Sequence, residues 1–341
     1  MSPSGLLFEH ASSCEHDPSE HASDHPEGPG RIQAIDAALA AVDWLGWERR
    51  VAPAATREEI EAVHDRALVE QVQRLSATGG GRLDADTFAG AGSYRAALHA
   101  SGGACAMVRA LVAGESRVGF AALRPPGHHA ERARAMGFCL FNNVAVAAQL
   151  ALATLGVARV LIIDWDVHHG NGTAEIFRRS GEVMYASIHQ AGIYPGTGQL
   201  ADAGSGPGLG CTLNLPVDAG TEGEVWISLL EHVILAAAEG FAPELVLLSA
   251  GFDAHRADPL GSCRLETDDF AQMACHARDF ARRVGAPLGA VLEGGYEPRA
   301  LSESVLATMA ALAGAGEAHS IAPEPIYTPR AAGQVGRYWS L

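Results

Sequence analysis

The chain contains no lysine; all 24 of its basic residues are arginine. Schiff-base catalysis, a covalently held pyridoxal cofactor and a phosphate-loop lysine are thereby excluded together. Coding bias is enough to produce this absence, and the exclusion holds whatever its cause. Long apolar runs are missing too. None approaches the roughly 20 residues a membrane span requires, and Gly5 to Phe8 is too short for the apolar region of a signal peptide. A soluble, cytoplasmic protein is expected, with no membrane partner. The six cysteines (Cys14, Cys105, Cys139, Cys211, Cys263, Cys275) form no C-x-x-C pair, so reduced thiols are expected and a Cys-rich structural zinc site is not available. Positive charge is scarce: 24 basic against 40 acidic residues gives a net charge of −16. No broad surface is left to neutralise phosphates, so nucleic acid is not an expected partner. An acidic field draws cationic ligands inward, polyamines and basic peptides among them.

What is present can bury a large core: 48% of the 341 residues are apolar and 19% charged. The first thirty residues are polar and His-rich (His10, His16, His21, His25) and end in Pro26-Glu-Gly-Pro-Gly. They read as a long surface segment at the rim, without the regular spacing of a second metal site. A helix follows from Arg31 to Trp44, and Thr56-x-x-Glu59 marks a capping box. Short apolar stretches then recur at Arg117 to Leu123, Arg159 to Trp165, Val183 to His189, Cys211 to Leu215, Glu244 to Ala250 and Pro287 to Leu292. Amphipathic, Ala-rich stretches at Ser93 to Val112, Asn142 to Leu155, Glu222 to Gly240 and Thr267 to Val284 separate several of them. Near-continuous apolar strands between helices predict an α/β fold with a parallel sheet covered on both faces. No repeat or linker divides the chain, so residues 1–341 are read as a single domain.

In such a sheet, ligand sites collect at the carboxyl ends of the strands. The polar segments fall there: Arg124 to His129, Asp164 to Gly172, Ser187 to His189, Gly251 to Asp253 and Glu293 to Tyr296. Strand alternation puts Asp164, Asp166 and His168 on one face and Trp165 and Val167 on the other. Neighbouring buried carboxylates repel unless cations neutralise them. A divalent ion at Asp166 and His168, joined by Asp253, answers part of that, and a second cation near Asp164 the rest. The plainer alternative is a hydrogen-bonded Asp capping the next helix, with Asn171 serving the Gly170 turn. His128 and His129 can divide proton transfer, one taking a proton from water and the other giving one to a leaving amine. A carboxylate partner favours imidazolium, while an amide partner leaves a base free near neutral pH. Tyr296, approached through Gly294-Gly295, places a phenol where it can hold an oxyanion. Together these form a kit for hydrolysing an amide with metal-activated water.

Arg124-Pro-Pro-Gly-His-His129, Gly137-Phe-Cys-Leu-Phe-Asn-Asn143, Asp164-Trp-Asp-Val-His-His-Gly-Asn-Gly-Thr173, Ser249-Ala-Gly-Phe-Asp253 and Glu293-Gly-Gly-Tyr296 resemble the zinc-dependent histone deacetylase family. The resemblance is strongest to class II members, bacterial deacetylase-like amidohydrolases and acetylpolyamine amidohydrolases, and runs from about His25 to beyond Tyr296. It implies the arginase/deacetylase fold, one α/β domain around an eight-stranded parallel sheet. It implies one Zn2+ held by Asp166, His168 and Asp253, and a structural K+ at Asp164, Asp166, His168, Ser187 and the Ile188 carbonyl. By the same resemblance, His128 would pair with Asp164 and His129 would face Asn171, where many members carry Asp, and Tyr296 would clamp the acetyl oxygen. The resemblance likewise implies that Gly137, Phe138 and Tyr194 line the acyl-lysine tunnel, with Tyr at a position usually Phe, and that Arg31 corresponds to the arginine of an internal acetate channel.

Leu260, in Asp258-Pro-Leu-Gly261, stands where polyamine-selective relatives carry a Glu gatekeeper. A leucine cannot pair with a distal ammonium, so an acetyl-lysine side chain of a peptide or protein is the expected substrate. Asp86 is a candidate grip on substrate backbone or amine. Acetylated polyamines remain the alternative. A two-manganese ureohydrolase would need further bridging carboxylates, and a non-catalytic metal-containing binding module or assembly subunit would leave the His pair and Tyr296 without a purpose. Homo-oligomerisation is left open.

Overall fold

The computed structural model describes residues 4–341. Ten strands and a set of covering helices form one α/β domain. In chain order the strands are β1 (Leu6–Glu9), β2 (Glu48–Val51), β3 (Gly80–Arg82), β4 (Phe88–Gly90), β5 (Val118–Ala121), β6 (Val160–Asp164), β7 (Val183–Gln190), β8 (Thr212–Val217), β9 (Leu245–Ala250) and β10 (Leu288–Leu292). Eight of them make one sheet in the order β2-β1-β5-β10-β9-β6-β7-β8, and every pairing is parallel. β3 and β4 form a separate antiparallel hairpin.

The central strands are buried along their whole length because helices cover both faces. The core divides accordingly. Trp165, Val167, Leu248, Phe270 and Phe280 lie in one apolar cluster; Met107, Val144, Ile162 and Leu247 lie in the other. Residues adjacent on β6 and β9 thus alternate between the two, as period two requires. The helix Ser93–Val112 packs on Asn143–Thr154, and Thr267–Val284 packs on Pro298–Ala313. The Thr56 capping box is formed, with Thr56 accepting from the Glu59 amide and Glu59 accepting from the Thr56 amide. The stretch Glu222 to Gly240 is a helix interrupted by a π-helical segment, Leu230–Leu235.

The N-terminal segment departs from the sequence expectation. Its first part is not a rim loop: β1 lies between β2 and β5 inside the sheet, and Leu6 and Leu7 are wholly buried. Four apolar residues inside a polar stretch are enough for a strand once neighbours supply the ladder. His16, Ser12, Ser13 and Glu27 are buried as well. Glu27 anchors this segment by accepting from Arg124 Nε at 2.6 Å and Arg31 at 2.8 Å, with His16 Nε2 3.2 Å away. A buried carboxylate matched by two guanidiniums is a satisfied one. Burial alone would raise its pKa, but Arg124, His16 and Arg31 together hold it well below the ordinary value. Among the described residues, no helix is long and apolar enough to cross a membrane.

Candidate metal and amidohydrolase site

The carboxyl ends of β5, β6, β9 and β10 meet at one place. β6 stops at Asp164, and the chain continues through Trp165 and Val167, both wholly buried, so that Asp166 and His168 turn to the polar side. Asp253 arrives three residues after β9, and Glu293 to Tyr296 directly after β10. His168 Nδ1 lies 3.1 Å from Asp166 Oδ1 and 3.0 Å from Asp253 Oδ2. One ligand atom from each of the three lies within 4.8 Å of the other two, and all three residues are buried.

This donor set fits a divalent ion. Burial and the charge of Asp166 push the Asp253 carboxyl up to about 7. Burial alone would lower His168, but Asp166 and Asp253 drive it to about 10. A cation between the three atoms would relieve the repulsion that these shifts express. The carboxylates are also held from behind. Asp166 Oδ2 accepts from the Gly294 amide at 2.8 Å, and Asp253 Oδ1 accepts from the Val167 amide at 2.7 Å. Such outer hydrogen bonds fix ligand orientation. They also require glycine at 294, where a Cβ would strike both carboxylates.

His128 and His129 follow β5 and are buried beside this cluster. His128 Nδ1 donates to Asp164 Oδ2 at 3.0 Å, and the same oxygen accepts from Tyr185 Oη at 2.9 Å. His129 Nδ1 donates to Asn171 Oδ1 at 2.8 Å. Their surroundings separate the pair. Burial opposes a charged His128, yet Asp166 and Asp164 outweigh it and hold its pKa well above the ordinary value. Burial, with His128 and His168 adding to it, pushes His129 well below.

Tyr296 faces the same space. Burial pushes its phenol well above the ordinary value, against the pull of Arg31, so it remains a donor. Arg31 lies behind it, buried, with its guanidinium 4.8 Å from the Tyr296 ring centre. Its nitrogens donate to the Gly295 carbonyl at 2.6 Å, to Glu27 and to the Glu293 carbonyl. Ser187 is the register partner of Asp164 on β7, with Ile188 next along the strand.

A cavity of about 240 Å³ opens onto these groups, lined by Asp86, His129, Gly137, Phe138, His168, Ile193, Tyr194, Leu260 and Tyr296. Phe138 stands edge-on to Tyr296 at 5.7 Å, and Tyr194 edge-on to His129 at 5.1 Å. Gly137 has φ +56° and a Cβ there would meet the His129 ring, so a side chain is doubly excluded.

A histone deacetylase domain profile matches residues 25–312. The chain belongs to the histone deacetylase family. It is a deacetylase-family amidohydrolase with a single α/β domain. It is 41% identical to histone deacetylase 15 of Arabidopsis thaliana over 86% of its own length, but spans only 53% of that plant protein. It is 40% identical to a histone deacetylase-like amidohydrolase of Pseudomonas aeruginosa, covering 86% of this chain and 78% of that one. The crystal structure of the HDA15 HD domain superposes with a TM-score of 0.93 at 36% identity, covering 99% of this chain and 96% of that one.

Two carboxylates not singled out from the sequence hold this candidate site together. Glu293, wholly buried, accepts from the Gly127 amide at 2.6 Å and the His128 amide at 3.1 Å through Oε2, and from Ser249 Oγ at 2.8 Å through Oε1. It therefore ties the histidine loop to the tyrosine loop. Asp258 accepts from the Leu260 amide at 3.0 Å and from the Tyr296 amide at 2.6 Å, linking the cavity mouth to Tyr296. The only signal for either was its place beside a motif.

Proposed function

We propose that this deacetylase hydrolyses the acetyl-amide of an acetylated lysine side chain in a peptide or protein. The observation that carries the proposal is the convergence of the Asp166, His168 and Asp253 cradle, the His128–His129 pair and Tyr296 on one narrow, largely apolar cavity. Phe138 and Tyr194 suit an aliphatic stem, and Leu260 at the lining offers no charge to a second ammonium. Asp86 is placed to accept from a substrate amide or amine.

Asp166, His168 and Asp253 would hold Zn2+, whose charge polarises a carbonyl and acidifies water. His129, kept neutral by burial and by the neighbouring imidazoles of His128 and His168, takes the proton from attacking water. Tyr296 donates to the developing oxyanion. His128, kept charged by Asp164, donates to the departing amine. A structural K+ is proposed at Asp164, Asp166, His168, Ser187 and the Ile188 carbonyl. Arg31, behind Tyr296, is proposed to guide acetate away.

The test is acetate release from an acetyl-lysine peptide by metal-stripped protein, before and after readdition of Zn2+. Hydrolysis that returns at one equivalent supports the reading. Hydrolysis that is indifferent to the metal contradicts it.

A further inference from the structure

Beyond the His129–Asn171 pair stands a carboxylate to which the proposed chemistry gives no part. Asn171, the first residue of the helix Asn171–Phe177, accepts from His129 through Oδ1 and turns its Nδ2 toward Glu131 Oε1, 2.8 Å away. The same Nδ2 reaches the Met136 sulfur at 3.3 Å and the His129 carbonyl at 3.4 Å, both longer contacts. Glu131 is fixed in turn. Its backbone closes a tight turn with Arg134, and its carbonyl accepts from His64 Nδ1 at 2.9 Å. Its second carboxylate oxygen lies 3.5 Å from Arg134 Nε.

The partners of an amide decide which way it points. An ionised carboxylate only accepts, so the Asn171 NH2 must face Glu131. The Asn171 carbonyl is then the end presented to His129, and His129 must carry its proton on Nδ1. Its Nε2 is left as a bare lone pair. Remove the carboxylate and only the two longer contacts orient Asn171, so the tautomer of the imidazole is no longer strictly enforced. A hydrogen bond to a charged group is also stronger than one to a neutral group, and it polarises the amide between them.

We propose that Glu131 is a positioning residue for proton transfer, acting through Asn171 to fix the tautomer of His129. The chain His129–Asn171–Glu131 does with an amide and a distant charge what a carboxylate against the imidazole would do directly, but without placing that charge on the ring. This rests on His129 being the proton acceptor, and the test separates the two.

The test uses the metal-replete full chain and four variants: E131Q, N171D, the double variant E131Q/N171D, and H129Q. In E131Q the substituted side chain can donate as well as accept, so the orientation of Asn171 is no longer dictated. The expected result is a fall in kcat of about five- to tenfold with KM changed by less than about twofold. In N171D the new carboxylate is set against Glu131. Adding E131Q relieves that clash, because an amide can donate to the new carboxylate, so E131Q/N171D is expected to turn over faster than N171D. One substitution then slows one background and speeds the other. A carboxylate that merely tethers the turn to the helix would act in the same direction in both. The 15N signals of the His129 ring, assigned by their loss in H129Q, give a readout independent of turnover: one tautomer with Nδ1 protonated in the wild type, and a mixture in E131Q. An unchanged tautomer and an unchanged kcat in E131Q, with H129Q inactive, overturn the role of Glu131 and leave the role of His129 standing. Near-normal turnover by H129Q overturns the role of His129 instead, while the ring signals still report whether Glu131 fixes the tautomer.

Discussion

His128 and His129 are consecutive in the chain, their ring centres lie 4.0 Å apart, and their pKa values are driven in opposite directions: Asp166 and Asp164 raise His128 against its burial, and burial lowers His129. A carboxylate backs the first and an amide oxygen the second. Two adjacent imidazoles sharing one charge form an acid and a base ready at the same pH. That division of labour underlies the proposed chemistry.

Tyr296 is the clearest place to test it. Tyr296→Phe removes a phenol that faces the cavity and takes away one oxyanion donor. We expect kcat to fall by about 10²-fold or more, with KM changed little. Steady-state kinetics on an acetyl-lysine peptide checks this, and near-normal turnover would remove Tyr296 from the mechanism.

Metal binding should stabilise the fold, because the cradle Asp166, His168 and Asp253 brings two buried carboxylates together. A ligand that binds only the folded state adds RT ln(1 + [L]/Kd), or roughly 2.7 kcal/mol at a hundredfold excess over Kd. Calorimetry should show a lower Tm after chelation and recovery on adding Zn2+. Asp253→Asn should abolish that recovery.

Glu293→Ala leaves the amides of Gly127 and His128 and the hydroxyl of Ser249 without their acceptor. Unsatisfied buried donors cost about 1–3 kcal/mol each, so the variant should lose several kcal/mol of stability and most of its activity. Glu293→Gln keeps an acceptor for the amides and can donate to Ser249, and should retain far more of both. Urea unfolding of the two variants side by side is the measurement.

His64 makes stability depend on pH. It is buried, donates to the Glu131 carbonyl and accepts from the Asn142 amide at 2.8 Å, and burial lowers its pKa to about 4. The unfolded chain binds a proton near 6.5 that the folded chain refuses. Stability is therefore full above about pH 6.5 and falls as pH drops toward 4, by roughly 3 kcal/mol from this group. His64→Gln should flatten that part of the profile in denaturant titrations between pH 4 and 7.

Much of this architecture is legible in the sequence, for definite reasons. The six strands from β5 to β10 are buried almost throughout and write their position as near-continuous apolar runs. β2 does not: it is an edge strand, its residues Glu48, Arg49, Arg50 and Val51 lie largely in water, and nothing apolar marks it. β1 is buried but only four residues long, and the polar stretch around it hides it. The site follows the same logic. Asp166, His168, Asp253 and the His pair are recognisable because metal and proton chemistry demands those residue types at those strand ends. Glu27, Glu131, Asp258 and Glu293 do their work by accepting from amides, guanidiniums or a neighbouring side chain. In sequence such a carboxylate looks like any acid on a surface, and only the fold reveals what it faces.

The central claim concerns what enters the cavity. The decisive measurement is kcat/KM for the Zn2+-loaded protein on an acetyl-lysine peptide, acetylputrescine and acetylspermidine, side by side, with Leu260→Glu measured in parallel. The account predicts a clear preference for the peptide and a shift toward the polyamines when a carboxylate replaces Leu260. A wild-type preference for the polyamines would contradict it and would assign Asp86, rather than a gatekeeper at 260, to the distal ammonium.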